Sequence, residues 1–218
     1  MKHNTNILLI GAVALASVAA TFVAPHAAQE QPAMPQLPPG MTQADMQACM
    51  AAGTPGKMQE RLLQAAGTWH GKSKMWMTAE AEPMDSTGTC TISPMMDGRF
   101  AKTEVSSDMP GMGPFMGFGL SAFDNVSQSF QSTWIDNMAT GIMTGKGELS
   151  SDGQTLSWTY TFNCPITKKP AVMRVVDHDT GKDAMSEEIF TTDPHTGKEF
   201  KMMQTEYTRS GGAAAGSR

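Results

Sequence analysis

Charge is scarce in this sequence, and nowhere is it strongly basic. Only 17% of the 218 residues are charged, with 16 Lys and Arg against 21 Asp and Glu, a formal net charge of −5. No block of five or more basic residues occurs, so the positive surface that a phosphate backbone demands is missing and nucleic acid is excluded as a partner. Cysteine is limited to Cys49, Cys90 and Cys164 with no Cys-x-x-Cys spacing, which leaves zinc and dithiol redox chemistry without ligands. Gly-x-Ser-x-Gly, His-Glu-x-x-His and a phosphate-cradling glycine loop are all absent, so no catalytic motif supports an enzyme and no metal is expected. The five histidines are scattered, two before residue 27 and the others at 70, 178 and 195.

Long hydrophobic runs are equally rare, with one exception. Residues 7–24 (ILLIGAVALASVAATFVA) are apolar throughout, follow Lys2 and His3, and give way to small residues up to Ala28. This is the pattern of an export signal over 1–28, and it predicts a periplasmic or extracellular protein. At about 18 residues the run also reaches the lower limit for an uncleaved membrane anchor, the only membrane contact expected. In an oxidising compartment cysteines tend to pair, and Cys90 with Cys164 is the candidate disulfide, with three free cysteines as the alternative.

Residues 29–41 are rich in Pro and Gln and read as a linker. A helical arm follows over 42–66. Thr42 is placed to cap a helix that Gly53 stops, and a second helix covers Lys57 to Ala66 with Leu62, Leu63 and Ala66 on one stripe. From Gly67 the sequence turns to Thr, Ser, Val, Phe and Trp, punctuated by turn residues. Ten strands are expected near 69–78, 86–93, 98–107, 115–124, 127–136, 140–148, 154–163, 171–179, 183–192 and 198–208. Asp97-Gly98, Asp124-Asn125 and Ser151-Asp152-Gly153 supply hairpin turns. In Thr155 to Phe162, Leu156, Trp158, Tyr160 and Phe162 alternate with polar residues, as a half-buried strand requires.

A flat meander of ten strands leaves two open edges, and closing it removes them. The expected fold is therefore all-β, an antiparallel up-and-down barrel of about ten strands with a short helical arm, the barrel spanning 67–209 and a flexible tail 210–218. A barrel of this size encloses a cavity unless bulky side chains plug it. Polar groups on apolar strands mark candidate ligand contacts: Asp136 on the face of Trp134, Arg174 between Val172 and Val176, and Glu188 near Phe190. A charge inside a barrel must be paired or serve a ligand. Arg174 with Asp136 or Glu188 is accordingly read as a polar anchor, with Phe118, Trp134 and Met143 lining the apolar part; the alternative is that these charges face solvent or pair among themselves. Met109-Pro-Gly-Met112-Gly-Pro-Phe-Met116 has thioethers suited to Cu(I) but no second cluster or nearby His, and reads instead as an apolar lid or an ordinary loop. Asp177 to Asp183 lacks the calcium-loop pattern, with Gly181 where a ligand is needed, and reads as a hairpin turn.

Two resemblances bear on this reading. A short helix running into Gly67-Thr68-Trp69 resembles the entry motif of the calycins, the lipocalin and fatty-acid-binding-protein superfamily. That resemblance implies that Trp69 closes one barrel end under an Arg of the last strand, for which Arg209 is the candidate. Some ten-stranded calycins bind haem through a histidine, but here none lies mid-strand among apolar neighbours, and no cofactor is expected. The segments Ala52-Gly53-Thr54-Pro55-Gly56, Lys74-Met75-Trp76-Met77, Gly117-Phe118-Gly119-Leu120, Ser132-Thr133-Trp134-Ile135-Asp136 and Lys198-Glu199-Phe200-Lys201-Met202-Met203 resemble DUF1579, a bacterial family of unknown function. The chain departs from it in Cys90, Cys164 and its many Met. Two functions follow as expectations: binding or carriage of a small apolar or amphipathic ligand, or a non-catalytic structural or interaction domain of the envelope with a plugged barrel.

Overall fold

A computed structural model describes residues 37–211. The signal segment 1–28, most of the linker 29–41 and most of the tail 210–218 lie outside the described residues. Two helices, α1 (Gln43–Gly53) and α2 (Lys57–Leu63), precede ten strands. These are β1 (Gly67–Met75), β2 (Met84–Met95), β3 (Phe100–Met109), β4 (Gly113–Asp124), β5 (Ser129–Asp136), β6 (Met143–Leu149), β7 (Thr155–Asn163), β8 (Pro170–Gly181), β9 (Ala184–Thr192) and β10 (Glu199–Arg209). Each strand pairs antiparallel with the next, and β1 pairs with β10, so the meander closes into a barrel. Among the described residues no helix is long and apolar enough to cross a membrane.

Local chemistry accounts for the arm. Thr42 and Asp45 form a reciprocal capping box at the start of α1. The helix buries no residue. It is held instead at its C-terminal end, where Arg99 donates to the Gly53 carbonyl (2.9 Å) and Asn125 to those of Ala52 (3.2 Å) and Thr54 (2.8 Å), satisfying carbonyls that a helix end leaves open. The second helix stops at Leu63 and not at Ala66 as the apolar stripe predicts. Barrel side chains claim the next three carbonyls: Arg209 donates to Gln64 (3.5 Å) and Ala66 (2.6 Å), and the Trp69 indole to Ala65 (2.8 Å).

The same two side chains seal that end of the barrel. Trp69 is only 2% exposed, and the Arg209 guanidinium lies 4.0 Å from its ring centroid, a cation stacked on an aromatic face. Arg209 also donates to the Lys182 carbonyl at 3.1 Å and faces Asp183. It thereby ties β10, the β8–β9 turn and the helix exit together. Leu62 of α2 enters a core with Ala101, Phe130, Leu156, Trp158 and Val175, where Phe130 meets Phe123 edge-on at 4.8 Å and Trp158 at 6.3 Å.

Inward aromatic residues face glycines across the strands. Tyr207 is opposite Gly71, Trp134 opposite Gly119, Tyr160 opposite Gly145 and Trp158 opposite Gly147. Each ring lies over the bare backbone of its partner: a Cβ at Gly145 would come within 2.7 Å of Tyr160 Cε1, and one at Gly71 within 2.8 Å of Tyr207 Cε1. The rings therefore line the wall and do not fill the interior.

Two expectations need correction. Cys90 and Cys164 are not bonded; all three cysteines are free. Cys90 is buried on the inner face of β2, whereas Cys164 sits in the β7–β8 turn, where Thr167 N–H donates to its sulfur. The Met-rich segment is not a lid. Strands β3 and β4 run into it and leave a turn of residues 110–112 alone, and its thioethers diverge, Met109 toward the interior while Met112 and Met116 are exposed.

Replacing Arg209 by Ala is expected to cost roughly 2–4 kcal/mol in urea unfolding, from lost charge-assisted hydrogen bonds and stacking. Arg209→Lys should recover less than half, since an ammonium lacks the planar fork. Gly147→Ala places a methyl 2.8 Å from both Phe130 Cβ and Trp158 Cε3; it should destabilise by about 1–3 kcal/mol in the same assay.

Candidate functional site

In an up-and-down barrel successive turns alternate between the two ends. The β2–β3, β4–β5, β6–β7 and β8–β9 turns share one end, and α2 covers it. Gln59 donates to the Phe123 carbonyl (2.9 Å) and Arg61 to that of Gly153 (2.8 Å), while Arg61 also pairs with Asp179 at 2.7 Å. The interior beyond this cap holds a cavity of about 340 Å³. Toward the uncapped end its wall carries Met109, Phe115, Trp134 and Met143; deeper lie Trp158, Tyr160, Asp177, Glu187, Tyr207 and Cys90.

The polar members of the wall are arranged in pairs. Trp134 Nε1–H donates to Asp136 Oδ2 at 3.0 Å, and the Met138 amide donates to the other oxygen at 2.9 Å. Trp158 Nε1–H donates to Asp177 Oδ2, also at 3.0 Å. The Tyr160 hydroxyl donates to Ser132, which donates in turn to the Leu120 carbonyl. Ser73 and Thr205 hydroxyls meet at 2.8 Å. Asp177 and Glu187 are directly opposed on β8 and β9.

Burial dominates the protonation of this interior. It pushes Glu187 up to about 8, the facing Asp177 adding to the rise and the Tyr207 hydroxyl opposing it. Burial also raises Asp177, to about 6, with the Trp158 indole pulling the other way. Desolvation lifts the Cys90 thiol to about 12 and raises the Tyr160 and Tyr207 phenols. In low dielectric the charged form of each is disfavoured. The opposed carboxyls thus keep their protons to higher pH than free carboxylates do.

Of the residues singled out in the sequence, Trp134, Asp136 and Met143 line this cavity. Phe118, Arg174 and Glu188 do not. Phe118 points outward, because Gly117 and Gly119 occupy the inner positions of β4, and it lies in a surface groove with Met116 and Ile135. Arg174 pairs outside with Glu199 at 3.1 Å and stacks on Phe190 at 3.9 Å. Glu188 pairs with Lys201 at 2.9 Å. The proposed anchor of Arg174 with Asp136 or Glu188 is therefore not formed. The sequence reading gives Glu187 no role and takes Asp177 to Asp183 as a hairpin turn, whereas β8 runs on through Gly181 and pairs Asp177 with Glu187. The signal was in the β7–β8 hairpin: Val175 is opposite Trp158, Met173 opposite Tyr160 and Arg174 opposite Thr159. Opposed residues share a face, so the inward rings of β7 turn Arg174 out and Asp177 in.

Linkage gives the raised carboxyls a sign. A group whose folded value lies above its unfolded one stabilises the fold fully below the unfolded value, and loses that contribution as pH rises toward the folded value. Stability of the empty barrel should thus fall between about pH 4 and 8, by up to about 1.4 kcal/mol per pH unit for each proton held. Urea titrations across that range test it, and Glu187→Gln should flatten the slope.

Comparison with known proteins agrees with this architecture. Among solved structures, Rv2717c from M. tuberculosis is similar, with 12% identity, a TM-score of 0.53, and 72% of this chain covering 99% of that one. The S-type phycobiliprotein lyase CPES from Guillardia theta aligns at 9% identity over 74% of this chain and 96% of that one, with a TM-score of 0.49. The likeness to Rv2717c, at 12% identity, is one of fold. No curated protein matches the sequence. A family model described as "Protein of unknown function (DUF1579)" matches residues 54–209, from the turn before α2 to the last residue of β10, and the chain belongs to that family.

Proposed function

We propose that this is an exported binding protein that takes a small, largely apolar ligand into its barrel. The observation that carries the reading is the cavity of about 340 Å³, which falls within the range of small-molecule sites, roughly 300–1,000 Å³. Its wall has the composition of such sites: aromatic rings and thioethers with a few fixed polar groups. Met side chains near the uncapped end adapt to guests of irregular shape. The apolar run 7–24 supports export, where a carrier would meet its ligand outside the cytoplasm.

The neutral apolar fluorophore N-phenyl-1-naphthylamine tests the reading. Its emission should rise and saturate on titration with the protein, and Ser107→Trp should weaken binding about tenfold by crowding the cavity, on whose wall Ser107 lies, with circular dichroism confirming the fold. Native mass spectrometry of protein purified from its own host should show a bound mass. Bare protein together with no fluorescence gain would favour a plugged structural barrel instead.

A further inference from the structure

We propose that the guest of this cavity is cationic, an amine or guanidine on an otherwise apolar frame, with its charged group seated against Asp177 and Glu187. The inference rests on the binding reading above and adds the sign of the ligand's charge to it.

Asp177 and Glu187 are opposed across β8 and β9 and both line the cavity. Among the described residues only Arg61 offsets their charge: it favours the ionised form of Asp177, but its own ion pair is with Asp179. Arg61 is the one Lys or Arg on the cavity wall, and it is engaged at the capped end with Asp179 and the Gly153 carbonyl. His178 is bonded to Thr155 at 3.0 Å. Arg174, Lys201, Lys102 and Lys74 form their ion pairs with Glu199, Glu188, Glu104 and Asp85, away from this wall. Local structure does not need two carboxyls here, since one indole N–H and one phenol would be served equally by an amide. Two carboxyls facing each other in low dielectric, beside a single Arg already paired elsewhere, oppose folding when ionised, and a cationic guest reduces that opposition. An anionic headgroup would enlarge it.

The rest of the wall favours the same sign. Trp134, Trp158 and Tyr160 present aromatic faces, which attract cations and not anions, and Asp136 adds a further carboxylate on the cavity wall. The apolar part of the guest would extend along the Met side chains toward the uncapped end.

Calorimetric titration of the whole protein at pH 7 with octylamine, octanol and octanoate separates the possibilities, because the three share one chain and differ in headgroup charge. Octylamine should bind about tenfold more tightly than octanol, the scale of a charge-assisted hydrogen bond, and octanoate more weakly than either. In the Asp177→Asn, Glu187→Gln double variant the preference for octylamine over octanol should disappear; these near-isosteric amides remove charge and keep the side-chain volume. Octanoate binding as tightly as octylamine, or an amine preference that survives the double substitution, would overturn the proposal. Octanol binding with no preference for the amine defeats the charge inference alone, whereas failure of all three probes and of the fluorophore defeats the binding reading as well.

Discussion

The barrel stays hollow because its large inward rings lie flat on glycine. Four aromatic side chains, Trp134, Trp158, Tyr160 and Tyr207, have glycine directly opposite, and a single methyl on any of those glycines would collide with the ring or force it inward. Cross-strand pairs are the unit in which a sheet is stabilised, and here the pairing also decides how much of the interior is filled. Twenty methionines occur in the sequence, but several, such as Met77, Met96 and Met116, are exposed and take no part in filling the interior. The distribution of glycine, not the amount of bulky side chain, leaves about 340 Å³ open.

The two ends are built on different principles. At one, directional bonds dominate: Arg209 and Trp69 take three successive carbonyls past α2, and Gln59 and Arg61 fasten the helix to the end of β4 and to the β6–β7 turn. At the other, adaptable side chains such as Met109 and Met143 surround the opening. Directional bonds hold one geometry, while thioethers tolerate several. Under the proposed binding role, an interior fixed at its base and adaptable at its open end would suit molecules whose polar end is constant and whose apolar end varies.

Much of the architecture was legible from alternation and turn chemistry. Leu156, Trp158 and Tyr160 have polar neighbours on both sides, so β7 declares its inner face without help. Thr42 marks the start of α1 for the same kind of reason, a local bond between near neighbours. Strand β8 is different. Met173, Arg174, Val175 and Val176 place apolar groups on both faces, and Val175 and Val176 are each only 8% exposed; with no alternation to read, Arg174 reads as inward and Asp177 as part of a turn. In β4 the inner positions are Gly117 and Gly119, so the residue with a side chain, Phe118, was mistaken for the one that mattered. The end of α2 was also hidden, because Arg209, which takes two of the carbonyls beyond it, comes from β10 at the far end of the barrel sequence.

The seam between β1 and β10 has a kinetic consequence. Its register joins Trp69 to Arg209 and Met75 to Met203, so the cylinder can be zipped shut only when the farthest portions of the polypeptide meet. Nine of the ten strand pairings are hairpins that can form in order as the chain emerges, but the tenth waits for everything before it and incurs the full entropy of a long loop. Until then both margins are unpaired edges open to neighbouring molecules, and maturation is governed by this final stitch.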